Sequence, residues 1–354
     1  MLDCKNSLIL DNIIFSLQKV GGISLVWYHL LKEITDRGIK AQFIEYTNEN
    51  IYRRILNIKD ENIIKKDKKF LPLKRYFSPV VRLQETTIFH SSYYRTLSNP
   101  NVKNISTVHD FTYEYYNSGL RKSLHSYQKF KAINNSDIIV CISENTRKDL
   151  KKFLPHISDS KIEIIYNGVS DEYYPIENNI KRFSDYLIYV GSRAKYKNFD
   201  FAVQAAAKLN KRIIICGDEL NDFEKKQLIN DLGLGKFEIK IRPTNEELNQ
   251  MYNSAYALIY PSSYEGFGLP VIEAQKAGCP IIALEKSSIP EIIGKDYPLL
   301  KGLNLSELSK ISLIIDNERS REELKEMGIK NSARFSWDKM TSQYIELYDS
   351  MKKC

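Results

Sequence analysis

The chain has 354 residues and a formal net charge of +8; 43% of its residues are hydrophobic and 27% are charged. This composition excludes disordered and fibrous proteins, and the length favours two domains over a single core. No apolar run approaches the ~20 residues that cross a bilayer, and the first residues lack a signal-peptide pattern. We therefore expect a cytoplasmic protein.

Short apolar runs alternate with amphipathic stretches along the first half of the chain. The runs are continuous rather than alternating, which is typical of parallel strands covered on both faces. Residues 22–38 have apolar side chains at helical spacing and end at Gly38, which predicts the helix of a βαβ unit, and Ser143 is the predicted cap of a later helix. The predicted strands are residues 12–17, 40–46, 86–92, 104–110, 137–143 and 161–169.

Residues 53–82 form a basic stretch within this half, with ten Lys or Arg against three acids. Such a charge excess attracts phosphate groups, whether of an acceptor or of anionic lipid, although a solvated loop has the same composition. We expect the inner face of the membrane as a possible contact. The aromatic signature of a nucleic-acid-binding module is absent from the sequence, so no nucleic-acid partner is expected.

A second series of strands and helices follows a polar stretch at residues 170–185. Thr244 and Glu247 predict a capping box within it. Two successive βαβ series predict two doubly wound, Rossmann-like α/β domains facing a cleft, residues 1–172 and 173–335. Residues 336–354 read as an amphipathic helix that returns to the first domain. The predicted strands of the second domain are residues 186–192, 212–218, 237–242, 256–262 and 279–285.

The sequence SSYEGFGLPVIEAQKAG, residues 262–278, predicts a strand end, a glycine turn and a helix start that begins near Pro270. This arrangement directs unpaired backbone N–H groups at a ligand, and helix starts attract phosphate. Glu265 in the turn can accept hydrogen bonds from sugar hydroxyls, and Glu273 on the helix can accept both hydroxyls of a ribose. Each glutamate taken alone favours a solvated position, since glycine turns before helices are common in α/β proteins.

The stretch EGFGLPVIEAQKAG closely resembles the signature of family 4 glycosyltransferases, which have the two-domain GT-B fold. The other stretches that resemble this family occur in the family's order along nearly the whole chain. They are GGI at 21–23, TVHD at 107–110, YNGVSDEYY at 166–174, YVGSRAKYKNF at 189–199, SSIPEIIG at 287–294 and FSW at 335–337.

The resemblance implies a role for each matching residue. Lys197 and Arg193 would bind the diphosphate of the donor, a role that two cations four residues apart after a strand also favour. Many relatives have an arginine where this chain has Tyr196, so Lys197 is the better supported of the two. The other expected donor-binding residues are Gly22, Gly266, Phe267, Gly268, Leu269 and Glu273. The expected catalytic residues are His109, Asp110 and Glu265, and the acceptor-side candidates are Gly21, His90, Tyr93, Tyr94 and Arg95.

The expected reaction is metal-independent transfer of a hexosyl group, with retention of configuration, from a GDP- or UDP-linked sugar to a glycan or lipid-linked acceptor. Mannosyl is the first guess for the sugar. The sequence has no Asp-X-Asp pair and no His/Cys cluster with metal spacing, so no cofactor is expected. Two alternatives stay open: a nucleotide-sugar 2-epimerase on the same fold, and a non-catalytic glycan- or membrane-binding scaffold.

Overall fold

A computed structural model describes residues 7–46, 49–67, 69–81, 83, 86–176 and 185–352. The chain divides into two compact units: a first unit of residues 1–168 with 337–354, and a second unit of residues 169–336. Each unit has one parallel sheet with helices. In the part of the chain that the structure covers, no helix has the length and apolarity needed to cross a bilayer.

The sheet of the first unit has seven parallel strands in the order β3-β2-β1-β4-β5-β6-β7. Its strands are β1 (Ser7–Asp11), β2 (Gln42–Glu45), β3 (Ile63–Lys65), β4 (Thr87–Ser91), β5 (Val102–Val108), β6 (Ile138–Cys141) and β7 (Ile162–Ile164). The helices that precede the second unit are α1 (Ile14–Leu17), α2 (Gly22–Asp36), α3 (Ile51–Ile55), α4 (Leu71–Lys74), α5 (Thr112–Tyr116), α6 (Gly119–Asn134) and α7 (Glu144–Phe153). The predicted cap of α7 is confirmed, because the Ser143 hydroxyl accepts from the Thr146 amide at 3.0 Å.

The prediction of a first strand at residues 12–17 is wrong. The strand is β1, which ends at Asp11, and residues 14–17 form the short helix α1. The chain leaves the sheet at Asn12, whose side-chain amide donates to Glu45 and whose Oδ1 accepts from the indole of Trp27. These bonds satisfy a buried polar residue at the strand end. The short strand β3 lies inside the basic stretch and was not predicted.

The sheet of the second unit has five parallel strands in the order β10-β9-β8-β11-β12. All five predicted strands of this half are confirmed, as is the capping box, in which Glu247 accepts from the Thr244 amide at 2.7 Å. The strands are β8 (Tyr186–Val190), β9 (Arg212–Gly217), β10 (Phe237–Ile241), β11 (Ala257–Tyr260) and β12 (Ile281–Ala283). The helices are α8 (Phe199–Lys208), α9 (Asp222–Leu232), α10 (Asn245–Ser254), α11 (Leu269–Lys276), α12 (Ile289–Ile293), α13 (Leu305–Asp316) and α14 (Glu318–Ser332). Of the polar stretch 170–185, residues 177–184 lie outside the described part.

The last helix, α15 (Trp337–Lys352), belongs to the first unit and packs on α2 and β4. Its Tyr348 hydroxyl lies 2.7 Å from Nδ1 of His90, and the other ring nitrogen of His90 lies 2.9 Å from the Thr107 hydroxyl. His90 is fully buried, and burial lowers its pKa to about 3. Both ring nitrogens of His90 thus hold the closing helix and the sheet together, and its acceptor-side role stays a prediction.

Arg95 is also buried in the first unit, with 3% of its surface exposed. Its Nε donates to the carboxylate of Asp11 at 2.7 Å, its Nη2 pairs with the other oxygen of Asp11, and its Nη1 donates to the Tyr46 hydroxyl at 2.9 Å. Arg95 thus ties the residues after β4 to the end of β1. Its guanidinium satisfies a buried carboxylate, which favours a structural role, and the acceptor-side role of Arg95 stays a prediction.

Candidate functional site

The candidate site of the second unit is built on the loops that follow β8 and β11. These strands are neighbours in the sheet, and the chain proceeds from them towards opposite edges, to β9 and β10 on one side and to β12 on the other. Ligands of open parallel sheets bind outside the carboxyl ends of strands at such a reversal of strand order. The predicted donor-binding residues of this unit lie in these two loops or in the first five residues of α11.

Asn198 joins the two loops. Its side-chain amide donates to the Pro261 carbonyl at 2.7 Å and to the Ser263 hydroxyl at 2.8 Å, and the Ser263 amide donates to the Tyr196 carbonyl at 2.8 Å. Asn198 has φ of +51°, a left-handed conformation that asparagine tolerates better than most residues. Because of these bonds, the short turn that carries Lys197 is held against the turn that carries Glu265.

Gly268 ends the second loop and begins α11, with φ of +102°. At this φ any other side chain would be strained, so the backbone favours glycine, and a Cβ atom would also lie 2.9 Å from Cδ1 of Ile289, which would have to shift. The loop after β12 supports the same turn. The Ser287 hydroxyl accepts from the Glu265 amide at 2.7 Å, and the buried Ser288 hydroxyl contacts the carbonyls of Glu265 and Phe267.

Lys197 and Glu265 are brought together as an ion pair, with Nζ and Oε1 2.5 Å apart. The side chains are only 13% and 12% exposed, and Nζ lies 3.5 Å from the hydroxyl of Tyr260 at the end of β11. Burial, with the adjacent Glu265 carboxylate, raises the pKa of Tyr260 well above its ordinary value. The phenol therefore stays neutral beside the pair. This cluster combines a cation with oxygen atoms that can hydrogen-bond hydroxyl groups.

Arg193 has partners of its own in this structure. Its Nε donates to Glu224 at 2.7 Å, and its two Nη atoms donate to the carbonyls of Asp218 and Glu219 at 3.0 and 2.7 Å. These bonds tie the loop after β8 to the loop after β9. The diphosphate role of Arg193 stays a prediction, and it requires the guanidinium to give up part of this set.

The remaining residues of the glycine turn have distinct positions. The Phe267 ring is buried against Phe335, with ring centroids 5.5 Å apart and an interplanar angle of 90°, so its expected ligand contact falls to its backbone. Gly266 precedes it in the turn, and Leu269 is the first, half-buried residue of α11. Pro270 has no amide hydrogen, so the N–H groups that precede it at the helix start are those of Gly268 and Leu269.

Glu273 lies one turn into α11 and is half-buried. Its Oε2 accepts from the hydroxyl of Tyr252 at 3.2 Å. Burial raises the pKa of Glu273 to about 7, and the hydrogen bond from Tyr252 opposes that rise only in part. Burial disfavours the charged form of this carboxylate. Hydroxyl groups that donate hydrogen bonds to it would stabilise the charged form and lower its pKa.

The raised pKa of Glu273 predicts a pH-dependent stability. The carboxyl group binds its proton more tightly in the folded chain than in the unfolded chain. Its contribution to the free energy of unfolding is therefore complete below pH 4.5 and is lost as pH rises through about 7. We expect the free energy of unfolding of Glu273→Gln, relative to the native chain, to rise across this window by at most about 3 kcal/mol. Denaturant titrations of both proteins at several pH values between 4.5 and 8 measure the difference. A difference that does not change with pH would contradict the prediction.

In the first unit, His109 follows β5 and is half-buried. Burial lowers its pKa to about 4, with neighbouring Asp110 opposing and Lys129 adding to the shift, so the imidazole is neutral at pH 7. Asp110 accepts from the Thr112 amide at 2.8 Å, and its carbonyl accepts from Nζ of the fully buried Lys129 at 2.9 Å. Lys129 also pairs with Glu114 at 2.7 Å, which fixes the backbone of this loop.

Gly21 and Gly22 form the start of α2 in the same unit. A Cβ atom at Gly21 would lie 2.6 Å from Oε1 of Gln18, so a side chain there would displace that amide. Tyr93 accepts from Arg75 at 3.1 Å, and Tyr94 packs its ring against His125 with centroids 5.7 Å apart. Both tyrosines are half-buried, so their acceptor-side roles remain predictions.

The structure thus brings Lys197, Glu265 and the glycine turn together in the second unit, and His109 and Asp110 at the end of β5 in the first. Sequence reasoning missed Tyr260, Asn198 and the paired serines 287 and 288, which contact the loops after β8 and β11. A tyrosine at the end of a predicted strand was the available signal for Tyr260. Within the described ranges, no group of three His, Cys, Asp or Glu is arranged to hold a metal ion.

Two protein families together match most of the chain. Residues 20–173 match the family described as Glycosyltransferase Family 4, and residues 172–331 match the family described as Glycosyl transferases group 1. The second match contains the loops after β8 and β11 and the helix α11.

Individual relatives have low sequence identity. An uncharacterized glycosyltransferase of Methanocaldococcus jannaschii is 24% identical over 94% of this chain and 95% of that protein. The O-antigen chain mannosyltransferase B of Escherichia coli is 24% identical over 69% of each chain.

Two solved structures share the fold over nearly the full length. The sucrose-phosphate synthase of Thermosynechococcus elongatus has a TM-score of 0.77 at 16% identity and covers 98% of this chain and 99% of its own. Anabaena HepE, in complex with UDP and glucose, has a TM-score of 0.73 at 15% identity, with coverage of 98% and 99%. At sequence identities this low, the structural similarity shows a common fold and nothing more specific.

Proposed function

The chain belongs to the family 4-like glycosyltransferases, which have the GT-B fold, and from this premise we propose that it transfers a hexosyl group from a nucleoside-diphosphate sugar to a glycan or lipid-linked glycan. The proposed reaction retains the configuration of the sugar and uses no metal ion. Mannosyl is the first candidate for the hexose, because a mannosyltransferase is among the relatives.

The observation that carries the proposal is the Lys197–Glu265 pair beside the glycine turn that begins α11. A cation within bonding distance of a carboxylate offers one group to a phosphate and the other to sugar hydroxyls. Glu273, one turn further along the same helix, then accepts from the ribose hydroxyls of the nucleotide. The three groups together match the three parts of a nucleotide sugar.

Cleavage of the sugar–phosphate bond leaves positive charge on the anomeric carbon and negative charge on the departing diphosphate. Lys197 and the Gly268 and Leu269 amides would stabilise that negative charge, which develops in the transition state. Glu265 would hold the hydroxyls of the transferred sugar and keep its orientation. We assign Glu265 no covalent role, since orientation of the sugar requires only hydrogen bonds.

The acceptor is proposed to bind the first unit at Gly21, His109 and Asp110. The neutral His109 imidazole can exchange hydrogen bonds with an acceptor hydroxyl. The acceptor oxygen bonds to the anomeric carbon as the diphosphate leaves, and the acceptor proton passes to an oxygen of the leaving phosphate. A new glycosidic bond and a free nucleoside diphosphate are the products.

A panel of GDP- and UDP-linked hexoses, in buffer containing EDTA, tests the proposal. We expect one sugar nucleotide to stabilise the protein against thermal unfolding, by about 2.7 kcal/mol at a hundredfold its dissociation constant. That donor should then yield a glycosylated product with lipid-linked or free glycan acceptors. The anomeric configuration of the product decides retention.

Other outcomes of the same panel would contradict the transferase. Conversion of the donor into an epimeric sugar with no acceptor present would identify a 2-epimerase. Stabilisation by none of the donors, together with binding to glycans, would identify a non-catalytic scaffold. Activity abolished by EDTA and restored by a divalent cation would overturn the metal-independent part of the proposal.

A further inference from the structure

Two segments of the first unit expose large apolar side chains to solvent. In residues 69–80, Phe70, Leu73, Phe77 and Val80 are 60–83% exposed. The second segment is α6, residues 119–134, where Leu120 is 90% and Tyr127 is 66% exposed. Surface residues of this kind are ordinary when they are scattered, whereas a concentration of them marks an interaction site.

The exposed side chains of α6 form one stripe along the helix. Leu120, Leu124 and Tyr127 recur at the spacing that places residues on one face, and all three are exposed. The opposite side of the helix carries the buried residues, among them Lys129 and Ile133. An apolar stripe on the solvent side is the reverse of the usual pattern for a helix packed on a sheet.

The two segments adjoin each other. Gln128 of α6 is buried, and its side-chain amide donates to the backbone carbonyl of Arg75 and to that of Tyr94, the latter at 3.0 Å. Arg75, the residue that follows α4, is thereby held against α6. We call residues 69–80 together with α6 the apolar–basic face.

This face carries cations among its apolar residues and no acids. Neither residues 69–80 nor residues 119–134 contain Asp or Glu, while they contain seven Lys or Arg. Of these, Lys129 is buried and paired, and Lys74 lies 3.8 Å from the carboxylate of Asp67 just before the face. The composition differs from that of the whole basic stretch 53–82, whose Arg53 is buried and paired with Glu45 at 2.6 Å. The exposed basic surface therefore excludes Arg53 and includes α6, unlike the predicted stretch 53–82.

We infer that the apolar–basic face docks on an anionic lipid bilayer. Apolar side chains at this density gain by entering the interfacial region of a membrane, and Lys and Arg among them gain from anionic headgroups. A second copy of the chain is disfavoured as the occupant, because two such faces would oppose like charges. Single-stranded nucleic acid would use the aromatic rings and cations but would leave the aliphatic residues Leu73, Val80 and Leu120 without a role.

Vesicle binding by the full chain tests this inference without any use of glycosyl transfer. We expect binding to vesicles with one-third anionic lipid, weakened by salt, and little binding to zwitterionic vesicles. The variant Lys69→Gln with Arg121→Gln should bind about 25-fold more weakly, since each cation contributes about fivefold (about 1 kcal/mol) near an anionic surface. The matched control, Lys225→Gln with Lys226→Gln on exposed positions of α9, should bind as the native chain does.

A fluorescent probe tests the apolar part separately. The native Trp27 and Trp337 are buried, at 4% and 9% exposure, so a new surface indole reports on its own surroundings. Leu120→Trp should shift its emission to the blue with anionic vesicles, whereas Phe223→Trp on α9, a position 75% exposed, should not. Equal binding to both kinds of vesicle, binding unchanged by the charge variant, or an unshifted Leu120→Trp would overturn the inference. Self-association or RNA binding through this face, without vesicle binding, would overturn it as well.

Discussion

Lys197→Ala should lower kcat/KM for the nucleotide sugar by about 10²–10³-fold. Lys197 is the cation that the structure places at the glycine turn, 2.5 Å from Glu265 and with 13% of its side chain exposed. Removal of one preorganised group that meets charge developing in a transition state costs about this much. Steady-state kinetics with the donor found in the panel measure the loss, and Lys197→Arg should recover part of it because the charge is kept.

Lys195→Ala is the matched control for this prediction. Lys195 lies two residues away in the same short turn, is exposed, and should change kcat/KM by no more than about twofold. Lys197 also has a structural partner in Glu265, so thermal unfolding must be measured on each variant. If Lys197→Ala destabilised the fold while donor binding and kcat/KM of the folded protein were unchanged, Lys197 would be a structural residue and the proposed donor site would lose its cation.

The strands of the second unit were predictable because buried parallel strands are nearly continuous apolar runs. The run at residues 212–217 and the run at residues 257–260 have no polar interruption other than at their ends. The first strand was misplaced because Asp11 and Asn12 are polar residues buried at a strand end. Asp11 pairs with Arg95, 84 residues away in sequence, and Asn12 donates a hydrogen bond to Glu45, 33 residues away. No local pattern reveals such distant partners.

The same limit applied to the site. The glycine at 268 was predictable, since a glycine turn before a helix has a local cause, whereas the pairing of Lys197 with Glu265, 68 residues away, was not. His90 near the end of β4 and Arg95 just after it have residue types suited to chemistry, yet the structure uses them to hold α15 and the buried Asp11. Arg193, in the loop after β8, shows the same limit, because its partner Glu224 is 31 residues away in sequence.

Arg95→Met should destabilise the folded chain by about 3–5 kcal/mol. The change leaves the Asp11 carboxylate without its cation at a position that is 0% exposed, with the Ser91 hydroxyl as a remaining hydrogen-bond donor. Removal of one partner from a buried ion pair costs more than loss of both, because an uncompensated charge stays in a medium of low polarity. Urea unfolding measures the effect, and Arg121→Met, at an exposed position, should stay within about 0.5 kcal/mol of the native chain.

The double variant Arg95→Met with Asp11→Asn separates the charge from the packing. With both charges removed, it should be more stable than Arg95→Met alone, and the difference measures the cost of the orphaned carboxylate. The same variants decide between the structural assignment of Arg95 and the acceptor-side role that its sequence position suggested. An acceptor-binding residue would raise the acceptor KM in both variants without a large loss of stability. A structural residue should lose stability in the single variant, recover part of it in the double variant, and leave the acceptor KM of the folded protein unchanged, which is the result that the buried pair with Asp11 predicts.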